Sequence, residues 1–523
     1  MYAVSAKEMR EIEGKCINEY GISGLELMER ASIKVLESIK GNLGDIRKGK
    51  FLLFVGKGNN GGDTLAVCRH LINEGVCPRV FLICKEEEIK GDALINLNLL
   101  KDMGQEMNLL GDKNINKTLE KSLNWCTFIV DGILGTGFRG ELTADFSQII
   151  CKINAINKTV LSIDIPSGLN ASTGIIPSVC IKASITVTFA FPKLGLIIHP
   201  GCQYTGVLEV ADIGIPTECT KEFNLKISLI DEYMVQKLIP KRESDSNKGN
   251  YGRVLIVTGS AGMTGSGCLC ALSALLSGAG LVYVAVPEEL AQIYSLKLTE
   301  PIIVKVPSIH EAMALRGLET LTLTAKNKDV VVLGPGIGRS FTTGRLIEEF
   351  VKVCEKPMVI DADGLNLLGD LKVFKNAKAP VIITPHPGEM ARIYGITVDE
   401  VQNNRIEVAT KFAKEYNVIV VLKGSRTIVA FPDGRVYINP TGNAGMATAG
   451  TGDVLAGLIG GLLGQGLEPI QACIAGVYLH GATGDMVAAK KGQHGVIAGD
   501  IAEALPYCIK NLADTNSLQK SYK

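Results

Sequence analysis

Short, uninterrupted apolar runs recur along the first half of the chain. They are FLLFVG from Phe51, VFLICK from Val80, TFIVDGIL from Thr127, TVLSIDIP from Thr159 and ASITVTFA from Ala183. Runs without apolar–polar alternation are typical of strands whose two faces are both covered. Stretches of helical length, such as residues 64–73, separate most of them. The pattern therefore predicts strands and helices in alternation around a parallel sheet.

The second half carries its own series of apolar runs. These are RVLIVTG, LVYVAVP, PIIVKVP, DVVVLGPG, PMVIDADG, PVIITPHPG and VIVVLKG, and FPDGR after them predicts a hairpin. Between residues 215 and 251 the strand rhythm is lost, and this segment ends in the polar stretch KRESDSNKGNYG. We place a domain boundary there, near residue 220. Because the halves share no evident repeat, the sequence predicts two different α/β domains, 1–220 and 221–523.

Composition narrows the classes of function. The chain has 523 residues, of which 46% are hydrophobic and 21% charged, as in globular proteins. Its 54 Lys and Arg balance 54 Asp and Glu. Proteins that bind nucleic acid usually carry a basic surplus, so the balance argues against a nucleic-acid partner and favours small molecules.

Cysteine usage and hydropathy bear on location. The 14 cysteines include no CxxC pair, which favours free thiols in a reducing cytosol over disulfides or zinc sites. The opening MYAVSAKEMREIEGK lacks the pattern of a signal peptide, and no apolar stretch reaches the roughly 20 residues that a membrane span needs. We therefore predict a cytoplasmic protein without a membrane partner.

Three polar, glycine-rich loops follow predicted strands of the first half. They are GKGNNGGDT from Gly56, DGILGTGFRG from Asp131 and DIPSGLN from Asp164. A single such loop is more often a structural turn, and an Asp at a strand end is often a helix cap. Loops at the carboxyl ends of parallel strands, however, meet at one edge of the sheet, where open α/β folds bind ligands. The coincidence of three carboxylate- and glycine-bearing loops favours a functional site.

Together, GKGNNGGDT, VDGILGTGF and SIDIPSGLN resemble the NAD(P)HX epimerase domain over most of residues 1–220. The resemblance implies a Rossmann-like, three-layer domain that interconverts the R and S epimers of hydrated NAD(P)H, with Asp164 at the reacting centre. It implies potassium ligands at Asn60, Asp131 and Ser167. It also implies dinucleotide contacts from Asn59, Asn60, Gly61, Gly62, Asp63, Gly135, Thr136, Gly137, Phe138, Arg139, Gly140 and Glu141. Thr64 stands where the family usually has Gly, and it either narrows the pocket or begins a helix.

The most informative segment of the second half is NPTGNAGMATAGTGDVLAGLIGGLLG, from Asn439. Gly450, Thr451 and Gly452 offer backbone amides at the start of a predicted helix, where the helix dipole favours anionic oxygens. Asp453 lies among these donors. Such an Asp either caps its own helix or accepts the proton of a hydroxyl that attacks a phosphoryl group. Donors and a carboxylate together favour the catalytic role.

This GTGD resembles the ribokinase-like superfamily, and four further motifs narrow the match. GSAGMTGSG from Gly259, GPGIG from Gly334, TPHPGEMARI from Thr384 and KGSRTIVAFPDG from Lys423 are similar to the ADP/ATP-dependent NAD(P)HX dehydratase. The resemblance implies a hydrate site at Gly267, Gly336, His386 and Asp453, and nucleotide contacts from Lys423, Gly424, Ser425, Arg426, Thr427 and Gly452. His386 could instead be a rigid structural element, and Lys423 a solvated lysine.

Two positions depart from the dehydratase pattern: Asn247 replaces the common His, and Ser266 replaces the usual Ala. The combined resemblance implies repair of NADHX and NADPHX, with Asp453 as the base, ADP or ATP as co-substrate, magnesium on the nucleotide and potassium in the first domain. Association into a homo-oligomer is also expected. The alternatives are a ribokinase-like vitamin-precursor kinase and a non-catalytic dinucleotide-binding first domain.

Overall fold

A computed structural model describes residues 1–109 and 115–520 of the chain, with side chains up to residue 514. The chain forms two compact units, Met1–Leu225 and Lys226–Lys523. The sequence placed the boundary near residue 220. Each unit contains its own sheet and its own hydrophobic core.

The first unit is built on a seven-stranded sheet in the order β3-β2-β1-β4-β5-β6-β7, and all its pairings are parallel. The strands are β1 (Phe51–Val55), β2 (Arg79–Leu82), β3 (Met107–Leu109), β4 (Phe128–Gly132), β5 (Thr159–Ile163), β6 (Ile185–Phe189) and β7 (Val207–Ala211). The helices are α1 (Ala6–Tyr20), α2 (Gly24–Leu43), α3 (Asn59–Asn73), α4 (Asp92–Asp102), α5 (Ile115–Trp125), α6 (Ala144–Asn154), α7 (Leu194–Ile197) and α8 (Glu218–Lys221).

Alternate residues of β1 enter two different cores. Phe51, Leu53 and Val55 pack with residues of α2 and α3, whereas Leu52 and Phe54 pack with residues of α5 and α6. Since both faces of the sheet are covered, every residue of the strand is apolar, and this explains the absence of alternation. The predicted three-layer arrangement with a parallel sheet is confirmed.

The second unit has a ten-stranded sheet in the order β11-β10-β9-β14-β15-β16-β17-β18-β19-β8. Its strands are β8 (Ile227–Leu229), β9 (Arg253–Val257), β10 (Leu281–Pro287), β11 (Ile302–Val306), β14 (Val330–Leu333), β15 (Met358–Ile360), β16 (Val381–Ile383), β17 (Ile419–Leu422), β18 (Ile428–Ala430) and β19 (Val436–Ile438), and β12 (Ser308–Ile309) with β13 (Ala312–Met313) forms a separate pair. Pairing is parallel from β11 to β17, and β17, β18 and β19 then run antiparallel. The β18–β19 turn is the hairpin predicted at FPDGR.

Helices cover both faces of this sheet. They are α9 (Glu232–Gln236), α10 (Thr264–Leu276), α11 (Ala291–Lys297), α12 (Leu318–Lys326), α13 (Phe341–Val353), α14 (Asp363–Asn366), α15 (Lys372–Lys375), α16 (Pro387–Tyr394), α17 (Val398–Asn403), α18 (Arg405–Tyr416), α19 (Thr451–Gly464), α20 (Pro469–Lys491) and α21 (Ala498–Lys520). Val254 and Ile256 of β9 face the core that contains α10 and α19, whereas Leu255 and Val257 face the core that contains α13. None of the helices in the described ranges combines the length and hydropathy needed to cross a bilayer.

Candidate active sites

The first candidate site lies where β1, β4 and β5 end. Glycines draw these loops together: a Cβ added to Gly56 would lie 1.8 Å from the Ile133 carbonyl oxygen, and one added to Gly61 would lie 1.9 Å from the Gly56 oxygen. The start of α3 therefore packs directly on β1 and on the loop after β4. Gly58 precedes α3 and offers no side-chain cap, so the amides of the first turn stay available to an anionic ligand.

Asp131 organises the loops after β4 and β5. It is fully buried, and its carboxylate accepts hydrogen bonds from Ser162 Oγ (2.8 Å), Ser167 Oγ (2.6 Å) and Ser167 N (2.9 Å). Burial raises the pKa of Asp131, and the hydrogen bonds from Ser167 and Ser162 oppose that rise. Ser167 Oγ in turn accepts a hydrogen bond from Leu134 N at 2.9 Å. These bonds hold the predicted ligand Ser167 beside Asp131.

Asn60 completes a group of three oxygen-bearing side chains. Its Nδ2 donates to the Leu134 carbonyl at 2.8 Å, so Leu134 links Asn60 to Ser167. Asn60 Oδ1 is buried without a hydrogen-bond partner among the described atoms. A buried amide oxygen without a partner costs free energy unless a ligand satisfies it. The Asn60 oxygen, the Ser167 hydroxyl and the Asp131 charge therefore fit a cation that prefers oxygen.

Asp164, the predicted reacting group, is paired with a lysine that the sequence analysis missed. Lys193 lies just before α7, is 1% exposed, and its Nζ lies 2.6 Å from Asp164 Oδ1. Thr188 Oγ1 also donates to Asp164 at 2.9 Å. Asp164 itself adopts φ +61°, a left-handed conformation that is unfavourable for Asp and often marks functional positions.

Two further carboxyl groups approach this ion pair. Asp63, on α3, is 9% exposed, and its pKa is raised well above the usual value by burial and then by the charges of Asp164 and Glu13. Burial also raises the pKa of Glu13 on α1, while the Lys193 charge opposes the rise. Glu13 was likewise missed, because a Glu within an amphipathic helix has no distinguishing pattern in the sequence.

The remaining predicted residues of the first unit border the same edge. Gly62 lies in the first turn of α3 against Met28, and the loop from Gly135 to Glu141 follows β4, with Gly135 beside the Asn60 side chain. Thr64 is fully buried, donates a hydrogen bond from Oγ1 to the Asn60 carbonyl at 2.8 Å, and packs against Gly132. It lies inside α3 and neither begins the helix nor points into the open loop region.

The second candidate site is centred on the start of α19. Gly450 precedes the helix with φ +90° and no side-chain cap, which leaves the amides of Thr451 and Gly452 free to face a ligand. Burial raises the pKa of Asp453 to about 6, a hydrogen bond from Ser266 opposes the rise, and the charge of Asp361 adds to it. Ser266, the second departure from the family pattern, therefore contacts the predicted base.

Lys423 is not a solvated lysine. Its Nζ lies 2.6 Å from Asp361 Oδ1 and 3.9 Å from Glu389 Oε2, and Asp361 is 1% exposed. Burial acts to lower the pKa of Lys423, but the charges of Asp361 and Glu389 outweigh it and the pKa is raised. A Cβ added to Gly452 would lie 3.1 Å from Lys423 Nζ. The ammonium therefore lies directly beside the first turn of α19.

Asp361 and Glu389 were missed by the sequence analysis. Asp361 follows β15 in PMVIDADG, so a carboxylate directly after a buried strand could have identified it. Another missed residue is His480 on α20, whose pKa burial lowers to about 4 and which interacts with the backbone of Thr451. It is neutral at physiological pH and packs behind the α19 start.

His386 has a structural role as the cap of α16. Its Nδ1 accepts hydrogen bonds from Gly388 N (3.0 Å) and Glu389 N (3.3 Å), and the Glu389 side chain accepts from His386 N. The side chain is nevertheless about half exposed, and its other ring nitrogen, Nε2, lies 3.5 Å from Glu389 Oε1. The structural alternative is thus correct for one nitrogen, and ligand contact by the other stays a prediction.

The other predicted residues fall into three groups. Gly336 packs its α-carbon against Ser266, whereas Gly267 is buried in α10 against Thr258. Gly424, Ser425, Arg426 and Thr427 form the β17–β18 turn directly after Lys423. Asn247 instead caps the short helix Lys248–Tyr251 before β9, at the amino ends of the strands and away from Asp453. Its departure from the family pattern therefore does not alter this site.

Comparisons with known proteins concern the chain as a whole. The family model described as NAD(P)H-hydrate dehydratase matches residues 254–507, and the model described as YjeF-related protein N-terminus matches residues 24–195. The bifunctional NAD(P)H-hydrate repair enzyme Nnr of Moorella thermoacetica is 44% identical over 519 residues, which cover 98% of each chain. The chain belongs to the family of bifunctional NAD(P)H-hydrate repair enzymes.

Other members and a solved structure extend the comparison. The repair enzyme of Escherichia coli is 33% identical, over 96% of this chain and 92% of its own. The crystal structure of the ADP/ATP-dependent NAD(P)H-hydrate dehydratase from Bacillus subtilis, co-crystallised with ATP and Mg²⁺, is 30% identical, covers 55% of this chain and 99% of its own, and has a TM-score of 0.48. Membership in the repair family confirms the predicted epimerase and nucleotide-dependent dehydratase pair over the vitamin-precursor kinase.

Proposed function

We propose that each unit contains one of the two catalytic centres of NADHX and NADPHX repair. The edge formed by α3 and the loops after β4 and β5 would interconvert the R and S epimers. The start of α19 would dehydrate the S epimer with ADP or ATP. The observation that carries the second assignment is a partly buried carboxyl, Asp453, whose pKa is raised to about 6 beside open helix amides and the Lys423 ammonium.

The proposed dehydration has two steps. Asp453 accepts the proton of the ring hydroxyl, the hydroxyl oxygen attacks the terminal phosphorus, and the bond from that phosphorus to the nucleotide's bridging oxygen breaks. The phosphate ester then leaves as the neighbouring ring carbon loses a proton, which restores the dihydronicotinamide. The amides of Thr451 and Gly452, with Lys423, stabilise negative charge on the transferring group. A base with a pKa near 6 is mostly ionised at neutral pH and can still accept a proton.

Two ions would assist these reactions. Potassium would be held by Asn60 and Ser167 beside the Asp131 charge, and it would orient the loops that meet the dinucleotide. The Asn60 oxygen without a partner supports this assignment. Magnesium would neutralise the nucleotide phosphates. Within the described ranges there is no cluster of three or more His, Cys, Asp or Glu side chains suited to a metal, so we expect magnesium to arrive with the nucleotide.

Hydrated NADPH offered with ADP or with ATP tests the function directly. We expect recovery of NADPH absorbance, equimolar release of phosphate, and AMP or ADP as the nucleotide product. Chromatographic separation of the epimers should also show that the R form is consumed through the S form. A stable phosphorylated product, or no NADPH with either nucleotide, would refute the proposed function.

Location and assembly extend the proposal. All 14 cysteines are free thiols in the structure, which supports a reducing, cytoplasmic location. We further propose that the chain associates with copies of itself, as expected from the epimerase resemblance. Light scattering of the purified chain measures the second point.

A further inference from the structure

One lysine and three carboxyl groups come together at the edge of the first sheet. Asp164 follows β5, Lys193 precedes α7, Asp63 is on α3 and Glu13 is on α1. The charges of Asp164, Glu13 and Lys193 all act on Asp63, and those of Lys193, Asp164 and Arg10 act on Glu13. One ammonium group cannot pair with all three carboxyl groups, and of the three only Asp63 is almost completely buried.

The hydrogen bonds of Lys193 show which of the three acids it pairs with. Its three donors go to Asp164 Oδ1 (2.6 Å), Thr188 Oγ1 (3.1 Å) and the Phe189 carbonyl (3.0 Å). An ammonium group has only three N–H bonds, so none remains for Asp63. The backbone is held as well, because Leu194 N donates to the Val4 carbonyl at 2.9 Å and Val4 N donates to the Pro192 carbonyl at 3.0 Å. Lys193 is therefore a rigid partner of Asp164.

Asp63 is in the opposite situation. It is almost completely buried, and burial is the largest cause of its raised pKa, followed by the negative charge of Asp164. Both influences favour the protonated acid. A carboxyl group that favours its protonated form, near a second one that an ammonium group holds by a hydrogen bond, is a usual basis of acid and base roles in one active site.

Epimer exchange needs such a pair. Hydration of an enamine places the hydroxyl on the carbon bonded to the ring nitrogen, because nitrogen donates electron density to the other carbon. A proton donated to this hydroxyl lets the carbon–oxygen bond break as the nitrogen lone pair forms a carbon–nitrogen double bond, and water leaves. Water then adds to the opposite face and gives its proton to a base. One acid is deprotonated and one base protonated, and the reverse reaction or solvent restores both.

We propose that Asp63 is the proton donor and Asp164 the proton acceptor of epimer exchange, and that Lys193 is a positioning residue that reserves Asp164 for the acceptor role. The inference rests on the proposed epimerase function of this unit and adds a second catalytic residue to it. Asp63 was expected only to contact the dinucleotide. Glu13 lies in the same cluster but is less buried, and it is on α1 rather than on the helix that begins the site.

The test compares matched carboxyl-to-amide variants in the full chain. Asp63→Asn should lower the kcat of epimer exchange about 10²- to 10⁴-fold, the usual contribution of a general acid. Glu11→Gln, at an exposed position of α1 outside the cluster, should leave it within a few-fold of wild type. Asp63→Glu, which keeps a carboxyl, should retain measurable exchange. Lys193→Met should lower kcat about 10²-fold through misplacement of Asp164 with little change in KM, and Lys193→Arg should restore part of the rate. Thermal unfolding of each variant verifies the fold.

The outcomes distinguish a proton donor and acceptor, Asp63 and Asp164, from residues that only bind substrate or stabilise the fold. Exchange that survives in Asp63→Asn, or that is lost equally in Glu11→Gln, overturns the assignment of the donor. Equal inactivity of the Asn and Glu variants at position 63, with unfolding unchanged, also overturns it. If Lys193→Met changes only KM, or if Lys193→Arg recovers none of the kcat, Lys193 is not a positioning residue. If wild type exchanges no epimers while it dehydrates the S form, the proposed epimerase function itself fails.

Discussion

Replacement of Asp453 by Asn should remove dehydration and stabilise the second unit. The pKa of Asp453 rises from an ordinary 3.8 to about 6 on folding, chiefly through burial. A carboxyl group whose pKa is higher in the folded than in the unfolded chain lowers the free energy of unfolding when it ionises. This destabilisation is absent below the unfolded pKa and grows as pH rises to about 6. A rise in pKa of this size lowers the free energy of unfolding by about 3 kcal/mol at neutral pH and by about half of that near pH 5. An amide avoids this cost and can keep the contact with Ser266.

The assay is thermal unfolding of the full chain near pH 7.5 and pH 5, together with the dehydration rate. We expect Asp453→Asn to raise the transition of the second unit more at pH 7.5 than at pH 5, while the rate falls by about 10²-fold or more. Asp433→Asn is the matched control. Arg435 lowers the pKa of Asp433, so its loss should slightly destabilise the same unit at both pH values. Equal or lower stability of Asp453→Asn at pH 7.5 would refute the reasoning.

Three further outcomes follow from the packing and the charges. Asn60→Leu removes the buried amide oxygen that has no hydrogen-bond partner among the described atoms. Epimer exchange should then lose its stimulation by KCl, while dehydration of the S epimer should be unchanged. Continued stimulation by KCl would place potassium elsewhere. Lys423→Met leaves Asp361 buried and unpaired, so it should lower the free energy of unfolding of the second unit by roughly 3–5 kcal/mol in urea. The double variant that also carries Asp361→Asn should recover part of this stability. Gly61→Ala should destabilise the first unit by about 1–3 kcal/mol or more, whereas Gly58→Ala, which meets no atom within 4 Å, should be tolerated; equal effects would contradict the close approach at Gly61.

The sequence predicted the parts of the fold that are governed by local pattern. Each buried central strand left a continuous apolar run, as β1 and β9 show. The sequence missed the two-residue strands β12 and β13 and three strands at sheet edges, β3, β7 and β8. In the edge strands at least one face is partly exposed, and the run is short or interrupted by polar residues. Val207 at the start of β7, for example, is 63% exposed. Edge strands need fewer apolar residues and therefore leave a weaker pattern.

In the candidate sites too, the sequence identified residues in local motifs and missed those placed by distant contacts. Asp131, Asp164 and Asp453 could be identified because each lies beside glycines at a strand end or helix start, a pattern visible within ten residues. Lys193 and Glu13 could not, because Lys193 pairs with Asp164 and Glu13 acts on Asp63 through its charge, and these groups lie on separate elements. His386 shows a different difficulty. The motif identified the residue, but only the structure shows that Nδ1 caps α16 and that Nε2 lies near the Glu389 carboxyl group.

The position of β8 bears on how the two activities can be studied apart. This strand directly follows the junction between the units and pairs with β19 at the end of the ten-stranded sheet. A fragment that starts at residue 254, where the dehydratase family match begins, would lack it and would expose the β19 edge, a template for intermolecular strand addition and aggregation. Expression of the isolated dehydratase should therefore begin at Lys226, because a truncation chosen from family boundaries alone would turn a solubility defect into an apparent loss of function.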